Sequence, residues 1–213
     1  GESELLRFIS KVGNGEDNSK ILEYLIQKGL NFETSDLKKV TPILMAAINN
    51  KEYFIKTLIG HKANINAQDS EGRYPLMQAV KNKSLPIVEL LLANKANPNL
   101  IDENKRNCIH WAINLSNADA DASNEIENCL LSSGGDLNAL DARGRTPLHY
   151  VFVKIGDPFN ITPIDPIETV ANIISRPGVL VDVRDVWGGT PLNYAAQRGA
   201  AISAMYLLKK KAN

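Results

Sequence analysis

Cysteine and histidine are scarce in this chain of 213 residues, which has two of the first and three of the second. Two cysteines are too few for a disulfide framework, so we expect Cys108 and Cys129 to be buried or half-buried thiols of a reducing compartment, cytoplasm or nucleus. A bridge between them stays open as the alternative. The sequence also has no Cys-x-x-Cys pair, no Gly-x-Ser-x-Gly elbow and no glycine-rich phosphate loop. We therefore expect no metal, no cofactor and no catalytic activity in this segment.

Net charge and long apolar runs are absent as well. The 24 lysines and arginines balance 24 aspartates and glutamates, so no global field attracts phosphates and a nucleic-acid partner is disfavoured. The basic run at residues 209–211 is interpreted as a solvated helix end. No stretch approaches the roughly 18 apolar residues that cross a bilayer, and the acidic start differs from a signal peptide. We expect no membrane partner and no small-molecule substrate, and targeting by a segment outside this sequence stays open.

A four-residue motif recurs along the chain. Its fullest form is Thr146-Pro147-Leu148-His149, and related segments begin at Thr41, Tyr74, Asn107 and Thr190. The successive starting points are 33, 33, 39 and 44 residues apart. A fixed period in this range indicates stacked supersecondary units.

Each motif is preceded, five residues earlier, by an aspartate: Asp36, Asp69, Asp102, Asp141 and Asp185. In three units a glycine stands two residues before the motif, where positive φ allows a hairpin turn. Lys39 and Lys105 replace it in the other two, and we expect those turns to be strained or differently shaped. Threonine then caps a helix whose first turn holds the proline, and a second helix with apolar residues at helical spacing follows.

These features together resemble the ankyrin repeat over nearly the whole chain, while a tetratricopeptide array lacks the Asp-x-x-Gly hairpin and the Thr-Pro helix start. The resemblance implies an all-α solenoid of stacked antiparallel helix pairs with projecting hairpin loops. We expect a single domain over 1–213 in which 1–35 is a degenerate first repeat and 185–213 an incomplete last one. Four full repeats cover 36–68, 69–101, 102–140 and 141–184. We expect the parent protein to continue beyond Asn213.

The resemblance also assigns the histidines a structural role. His110 and His149 occupy the last position of the motif, where the imidazole of an ankyrin repeat hydrogen-bonds to neighbouring repeats. His61 lies alone after a second helix, without a ligand partner at useful spacing.

The resemblance implies a protein or peptide partner on the concave face, which the hairpin tips and the exposed sides of the first helices form. Carried over residue by residue, the partner-binding candidates are Arg73, Lys81, Arg106, Arg143, Arg145, Lys154, Trp187 and Arg198. We place the site in the C-terminal half, where basic groups surround Trp187 and suit an acidic or mixed peptide with an apolar anchor. Packing of Trp187 across the adjacent hairpin is the alternative.

Two insertions depart from the 33-residue period. Six residues are added near 114–124, where the composition suits an exposed loop or a longer first helix. Eleven are added near 156–166, a segment with three prolines that also contains Phe159, Ile161 and Ile164. These apolar residues either fold back onto their own repeat or form a second patch for a partner.

Other function classes fit the same repeats. The array could be the substrate-recruiting or regulatory arm of a larger enzyme, as in tankyrase-like ADP-ribosyltransferases. It could also mask or scaffold a DNA-binding or signalling partner. The sequence downstream of Asn213 would separate these alternatives.

Overall fold

The computed structural model describes residues 4–115, 120–153 and 165–211, and leaves the side chains of 120–123 and 211 undescribed. Within these ranges it contains twelve α-helices and no β-strand. The chain forms two compact units, Gly1–Glu103 and Asn104–Asn213.

Unit 1 is built from three helix pairs in two layers. The first helices form one layer, in which α3 packs against α1 and α5, and the second helices form the other, in which α4 packs against α2 and α6. Phe54 and Leu44 are fully buried between the layers. The helices are α1 Glu4–Lys11, α2 Glu16–Gln27, α3 Pro42–Ile48, α4 Glu52–Gly60, α5 Pro75–Lys81 and α6 Leu85–Ala93.

Unit 2 repeats this arrangement. In the layer of first helices, α9 packs against α7 and α11, and in the layer of second helices α10 packs against α12. Ile126, Leu130, Val170 and Leu207 of the second helices are buried. The helices are α7 Cys108–Leu115, α8 Ala120–Ser132, α9 Pro147–Tyr150, α10 Ile167–Ile174, α11 Pro191–Gln197 and α12 Ala201–Lys211.

The predicted all-α class is confirmed, and each of the six sequence intervals contains one helix pair. The first insertion falls partly on residues 116–119, outside the described residues. After it α8 has 13 residues, against 9 in α4 and α6, so the described part of the insertion lengthens the second helix. Of the second insertion, near 156–166, residues 156–164 lie outside the described residues, among them Phe159, Ile161 and Ile164.

Proline opens α3, α5, α9 and α11, as the motif predicts. The threonines that precede these prolines differ in whether they cap the helix. The Oγ1 atom of Thr190 accepts a hydrogen bond from the Asn193 N–H at 3.2 Å and caps α11. The hydroxyl of Thr41 is buried without a hydrogen-bond partner among the described residues, so the expected cap is wrong there. The first turn of α3 is therefore held by Pro42 and by its buried packing.

One second helix carries a buried acid. Glu127 of α8 is 1% exposed, and its Oε1 atom has no hydrogen-bond partner among the described residues. Burial raises the pKa of Glu127 to about 7, against the opposing influence of the Arg176 guanidinium beyond α10. The sequence pattern did not separate this residue from Glu125, the exposed glutamate of the same helix.

The described end of the second insertion is bound to α12 through Asp165. The Asp165 carboxylate accepts hydrogen bonds from the N–H groups of Ile202 and Ser203, at 2.8 and 3.2 Å. The hydroxyl of Ser203 donates to the same carboxylate. Asp165 thus satisfies the free amides in the first turn of α12 from a distant part of the chain.

Candidate interaction surface

The hairpins that precede the first helices are each folded around one aspartate. Its Oδ1 atom accepts hydrogen bonds from the N–H groups two and four residues later. Four aspartates do this at donor–acceptor distances of 2.8–3.0 Å: Asp36, Asp69, Asp141 and Asp185. The recurring aspartate is therefore explained by the shape of the turn and not by metal or acid–base chemistry.

The residue three positions after each aspartate has positive φ. The angle is 71° at Gly72, 72° at Gly144 and 77° at Gly188, and it is 61° at Lys39 and 59° at Lys105. The two lysine turns therefore keep the geometry of the glycine turns, and the expectation of a different shape is wrong. The expected strain remains, because a left-handed conformation is unfavourable for a residue with a Cβ atom.

Neighbouring hairpins within a unit are joined by backbone hydrogen bonds. In unit 1 the Ser70 N–H donates to Lys38 O at 2.9 Å, and in unit 2 the Val186 N–H donates to Arg143 O at 2.9 Å. A Cβ atom added to Gly72 would lie 2.9 Å from the backbone nitrogen of Glu103 in the next hairpin. The hairpin tips are thus held at fixed spacing and form a regular edge in each unit.

The motif histidines link neighbouring repeats, as predicted. His110 Nε2 lies 3.1 Å from Arg145 O, and His149 Nε2 lies 3.3 Å from Gly189 O. The other ring nitrogen, Nδ1, accepts a hydrogen bond within the motif, from the Asn107 N–H in His110 and from the Thr146 hydroxyl in His149. Burial lowers the pKa of His149 below its ordinary value, and the bond to Gly189 O offsets part of this effect.

Arg145 differs from the expectation of a surface group, because it is only 8% exposed. Its Nε atom lies 3.2 Å from Asp185 Oδ2, and its Nη2 donates to the Tyr194 hydroxyl at 3.0 Å. The Tyr194 hydroxyl in turn donates to Asp185 Oδ2 at 2.6 Å. Burial alone would raise the pKa of Asp185, but the hydrogen bonds from Tyr194, Gly189, Arg145 and Trp187 together lower it. Arg145 is therefore a structural link between hairpins.

Trp187 lies at the tip of the last hairpin and is 64% exposed. Its ring covers the guanidinium carbons of Arg145 and Arg143, which lie 5.0 and 5.7 Å from the ring centre. Arg143 is itself exposed. The tryptophan thus packs across the adjacent hairpin, as one alternative expected, and still presents most of its surface to solvent. Its role in partner binding stays a prediction.

A second arginine–aromatic pair occurs one repeat earlier, and sequence reasoning missed its tryptophan. The Arg106 guanidinium lies 4.3 Å from the ring centre of Trp111 in α7.

Two tyrosines bind the hairpin aspartates of unit 2, and the hydroxyl of Tyr150 donates to Asp141 Oδ2 at 2.5 Å. Tyr150 follows Asp141 by nine residues, as Tyr194 follows Asp185, and this spacing is the signal that could have identified both tyrosines from the sequence.

Four candidates of the predicted set remain. Arg73 and Lys81 belong to unit 1, where Arg73 Nε lies 2.6 Å from Asp69 Oδ2 and Lys81 is exposed at the end of α5. Arg198 is half-buried at the C-terminal end of α11. Lys154 lies outside the described residues. The structure therefore brings together Arg143, Arg145 and Trp187 of the predicted set.

Both cysteines are described, and neither is in a disulfide: Cys108 is buried and Cys129 half-buried. Among the described residues, no group of three or more His, Cys, Asp or Glu side chains is arranged to hold a metal ion. Within the same ranges, none of the helices has the length and apolar content needed to span a membrane.

Comparison with known proteins identifies the repeats. A family model described as ankyrin repeats (3 copies) matches residues 9–102 and again 76–158, which together cover more than half of the chain. No curated protein matches the sequence. The matched segments run from the end of α1 through α9 and include the motif at Thr146. The chain therefore belongs to the ankyrin-repeat family.

Proposed function

We propose that this chain is a non-catalytic protein–protein interaction module, which binds its partner on the hairpin tips and the exposed sides of the first helices in unit 2. Ankyrin repeats are in general protein-interaction modules without catalytic activity, which supports the class of function. The observation that carries the location is Trp187, a large aromatic side chain left mostly in solvent on a hairpin held rigid by Asp185.

The charges around Trp187 support an acidic or mixed peptide as its partner. Arg143 is exposed at its ring, Arg184 is exposed three residues before it in the chain, and Lys105 is exposed on an earlier hairpin of the same unit. Asp141 and Asp185, the aspartates at the base of two of these hairpins, are buried and hydrogen-bonded to tyrosines. A peptide carboxylate can therefore meet cations at the tips while an apolar side chain of the peptide lies on the indole.

Trp187 is preorganised for binding. The arginines beneath the ring restrict its rotation, so little side-chain entropy is lost when a partner covers it. Aromatic side chains of this kind dominate the binding energy of many interfaces. The same stacking predicts that removal of the indole exposes Arg145 without breaking its bonds to Asp185 and Tyr194.

The test is a selection of binding peptides from a displayed random library, followed by affinity measurements with two variants. Trp187→Ala is expected to weaken binding about tenfold or more with a nearly unchanged Tm. Tyr24→Ala, which removes an exposed aromatic ring from α2, serves as the matched control and should bind like the parent. Unchanged affinity of Trp187→Ala would refute the location. Loss of binding only on deletion of residues 159–164 would assign the site to the insertion that contains Phe159, Ile161 and Ile164.

A further inference from the structure

Asn14 and Gly15 form the only Asn-Gly pair in the sequence, and they lie in the short segment between α1 and α2. In such a pair the backbone nitrogen of the glycine can attack the side-chain amide of the asparagine, because no Cβ atom shields that nitrogen. Ammonia leaves, and water opens the cyclic imide that remains. The surroundings of the two residues decide whether this reaction takes place in the folded chain.

The attacking nitrogen is accessible. Gly15 has an extended backbone, with φ of −151° and ψ of 156°. Its N–H donates no hydrogen bond to any of the described residues. A Cβ atom placed on Gly15 would have no heavy atom within 4 Å apart from its chain neighbours, and Asn14 is itself exposed. Neither a hydrogen bond nor a neighbouring side chain therefore keeps the two reacting groups apart.

The amide that is attacked has its carbonyl oxygen at the start of α4. The Tyr53 N–H donates to Asn14 Oδ1 at 3.3 Å. Tyr53 is the second residue of α4, where a backbone N–H has no acceptor within the helix. Attack by the nitrogen places negative charge on that oxygen, and a backbone donor aimed at it lowers the barrier. The positive end of the helix dipole acts in the same direction.

Two further hydrogen bonds hold the segment in place. The ammonium group of Lys51, the residue before α4, donates to Val12 O. The side-chain amide of Asn18 in α2 donates to Gly13 O at 3.0 Å. A backbone lengthened by one atom, as in isoaspartate, would disturb both contacts. The segment therefore favours a product that keeps the ordinary backbone.

The charges around the segment also favour an acidic product. Lys51 brings a positive charge to the segment. The acids that follow in the sequence, Glu16 and Asp17, lie 2.9 and 3.9 Å from the Lys20 ammonium, which offsets their charge. A new carboxylate at position 14 would thus meet a cation and a helix N-terminus.

A carboxylate already has the corresponding position in unit 2. Asp165 lies between α9 and α10 and accepts hydrogen bonds from the N–H groups of Ile202 and Ser203 in the first turn of α12. Asn14 likewise lies between the two helices of one repeat and binds the first turn of the second helix in the next. Aspartate at position 14 would therefore reproduce a cap that this chain uses elsewhere.

We propose that Asn14 is converted to aspartate in the folded chain by attack of the Gly15 nitrogen on its Cγ atom, and that the Tyr53 N–H promotes this step. The bond from Cγ to the Gly15 nitrogen forms, the proton of that nitrogen passes to water, and Nδ2 takes up a proton and leaves as ammonia. A water molecule then attacks Cγ, the new bond breaks, and the Gly15 nitrogen regains a proton. This site lies in unit 1 and does not depend on the function proposed for unit 2.

The test incubates the complete chain in neutral buffer and analyses the tryptic peptide 12–20 by mass spectrometry, against a sample digested at the start. The mass increase from amide to acid is expected at Asn14, with aspartate more abundant than isoaspartate. Asn18 in the same peptide is the internal control and should stay intact, because the N–H of the following residue, Ser19, is bound to Gly15 O at 3.1 Å.

Two substitutions isolate the backbone donor. Tyr53→Pro removes the N–H and copies Pro86, which stands at the equivalent second position of α6. It should slow the reaction about fivefold with unchanged circular dichroism. Tyr53→Ala removes the ring but keeps the N–H, and it should react like the parent. Asn14→Asp, which supplies the product directly, should raise the Tm because the charged cap is stronger than the amide.

Several results would overturn the proposal. An intact Asn14 in the folded chain contradicts the reaction, and an unchanged rate in Tyr53→Pro contradicts the role of the donor. Isoaspartate as the main product contradicts opening of the imide at Cγ, and a lower Tm of Asn14→Asp contradicts the cap. The first, third and fourth of these results do not depend on whether Tyr53→Pro folds.

Discussion

The Nε atom of Arg145 lies 3.2 Å from the Oδ2 atom of Asp185, so the guanidinium of one hairpin is bound to the aspartate that folds the next. The aspartate is fully engaged, because its Oδ1 atom holds two backbone amides of its own turn. The Arg145–Asp185 ion pair thus connects two neighbouring hairpins, and it lies beneath the exposed ring of Trp187.

Arg145→Ala is expected to destabilise the chain by about 3 kcal/mol, because it leaves the buried Asp185 carboxylate without its charge partner. The free energy of unfolding in urea measures the effect. Arg143→Ala removes the neighbouring exposed arginine and should change the same quantity by less than about 0.5 kcal/mol. Equal, small effects of both substitutions would contradict the structural role of Arg145. A double substitution of Trp187 and Arg145 is therefore a poor test of binding, since Arg145 also supports the fold.

Glu127→Gln is expected to stabilise the chain at alkaline pH. The folded-state pKa of Glu127 is about 7 against an ordinary 4.5, so its contribution to stability is fully present below pH 4.5 and is lost as the pH rises through 7. The difference corresponds to about 3 kcal/mol at pH 8, which the neutral amide would recover. At pH 4 the variant and the parent should be equally stable. Urea unfolding across this range measures it, and Glu125→Gln, at an exposed position of the same helix, should show no such dependence.

Lys39→Gly is expected to stabilise the first hairpin by about 1 kcal/mol, because Lys39 has φ of 61° where related hairpins carry glycine. The gain exceeds the entropy that glycine adds to the unfolded chain. Lys38→Gly, at the adjacent exposed residue whose φ is not positive, should lower stability or leave it unchanged. A thermal melt compares the three proteins, and a lower Tm for Lys39→Gly would contradict the strain inferred for this turn.

His149→Ala is expected to lower the free energy of unfolding by about 1–3 kcal/mol, since Gly189 O and Thr146 lose a buried partner. The lowered pKa of His149 adds a pH effect: its contribution is present above the ordinary value of 6.5 and is lost as the pH falls through the folded-state pKa. The parent should therefore lose stability on acidification more steeply than the variant. Stoichiometric zinc in the purified protein would contradict the structural assignment.

The helix pairs could be predicted from the sequence because their causes are local. A proline fixes the first turn, an aspartate two and four residues from its amide partners folds the hairpin, and apolar residues at helical spacing bury one face. The resemblance to the ankyrin repeat implied the cross-repeat histidine bonds. Thr41 shows the limit of local rules, because Thr190 caps α11, whereas the hydroxyl of Thr41 before α3 has no hydrogen-bond partner among the described residues.

The exposure of individual side chains was decided by tertiary packing. Arg143 and Arg145 are two residues apart on one hairpin, but only Arg145 is buried. Its partners Asp185 and Tyr194 lie 40 and 49 positions further along the chain, and Arg143 remains exposed. The neighbouring sequence likewise does not predict the exposure of Glu127 or Met205. The orientation of each helix in the fold buries Glu127 in α8 and exposes Met205 in α12. The sequence by itself determined the repeats, since turns and helix starts depend on neighbours within a few residues. Which residues bear charge or apolar surface toward a partner depends on contacts between repeats, and these exist only after the chain has folded.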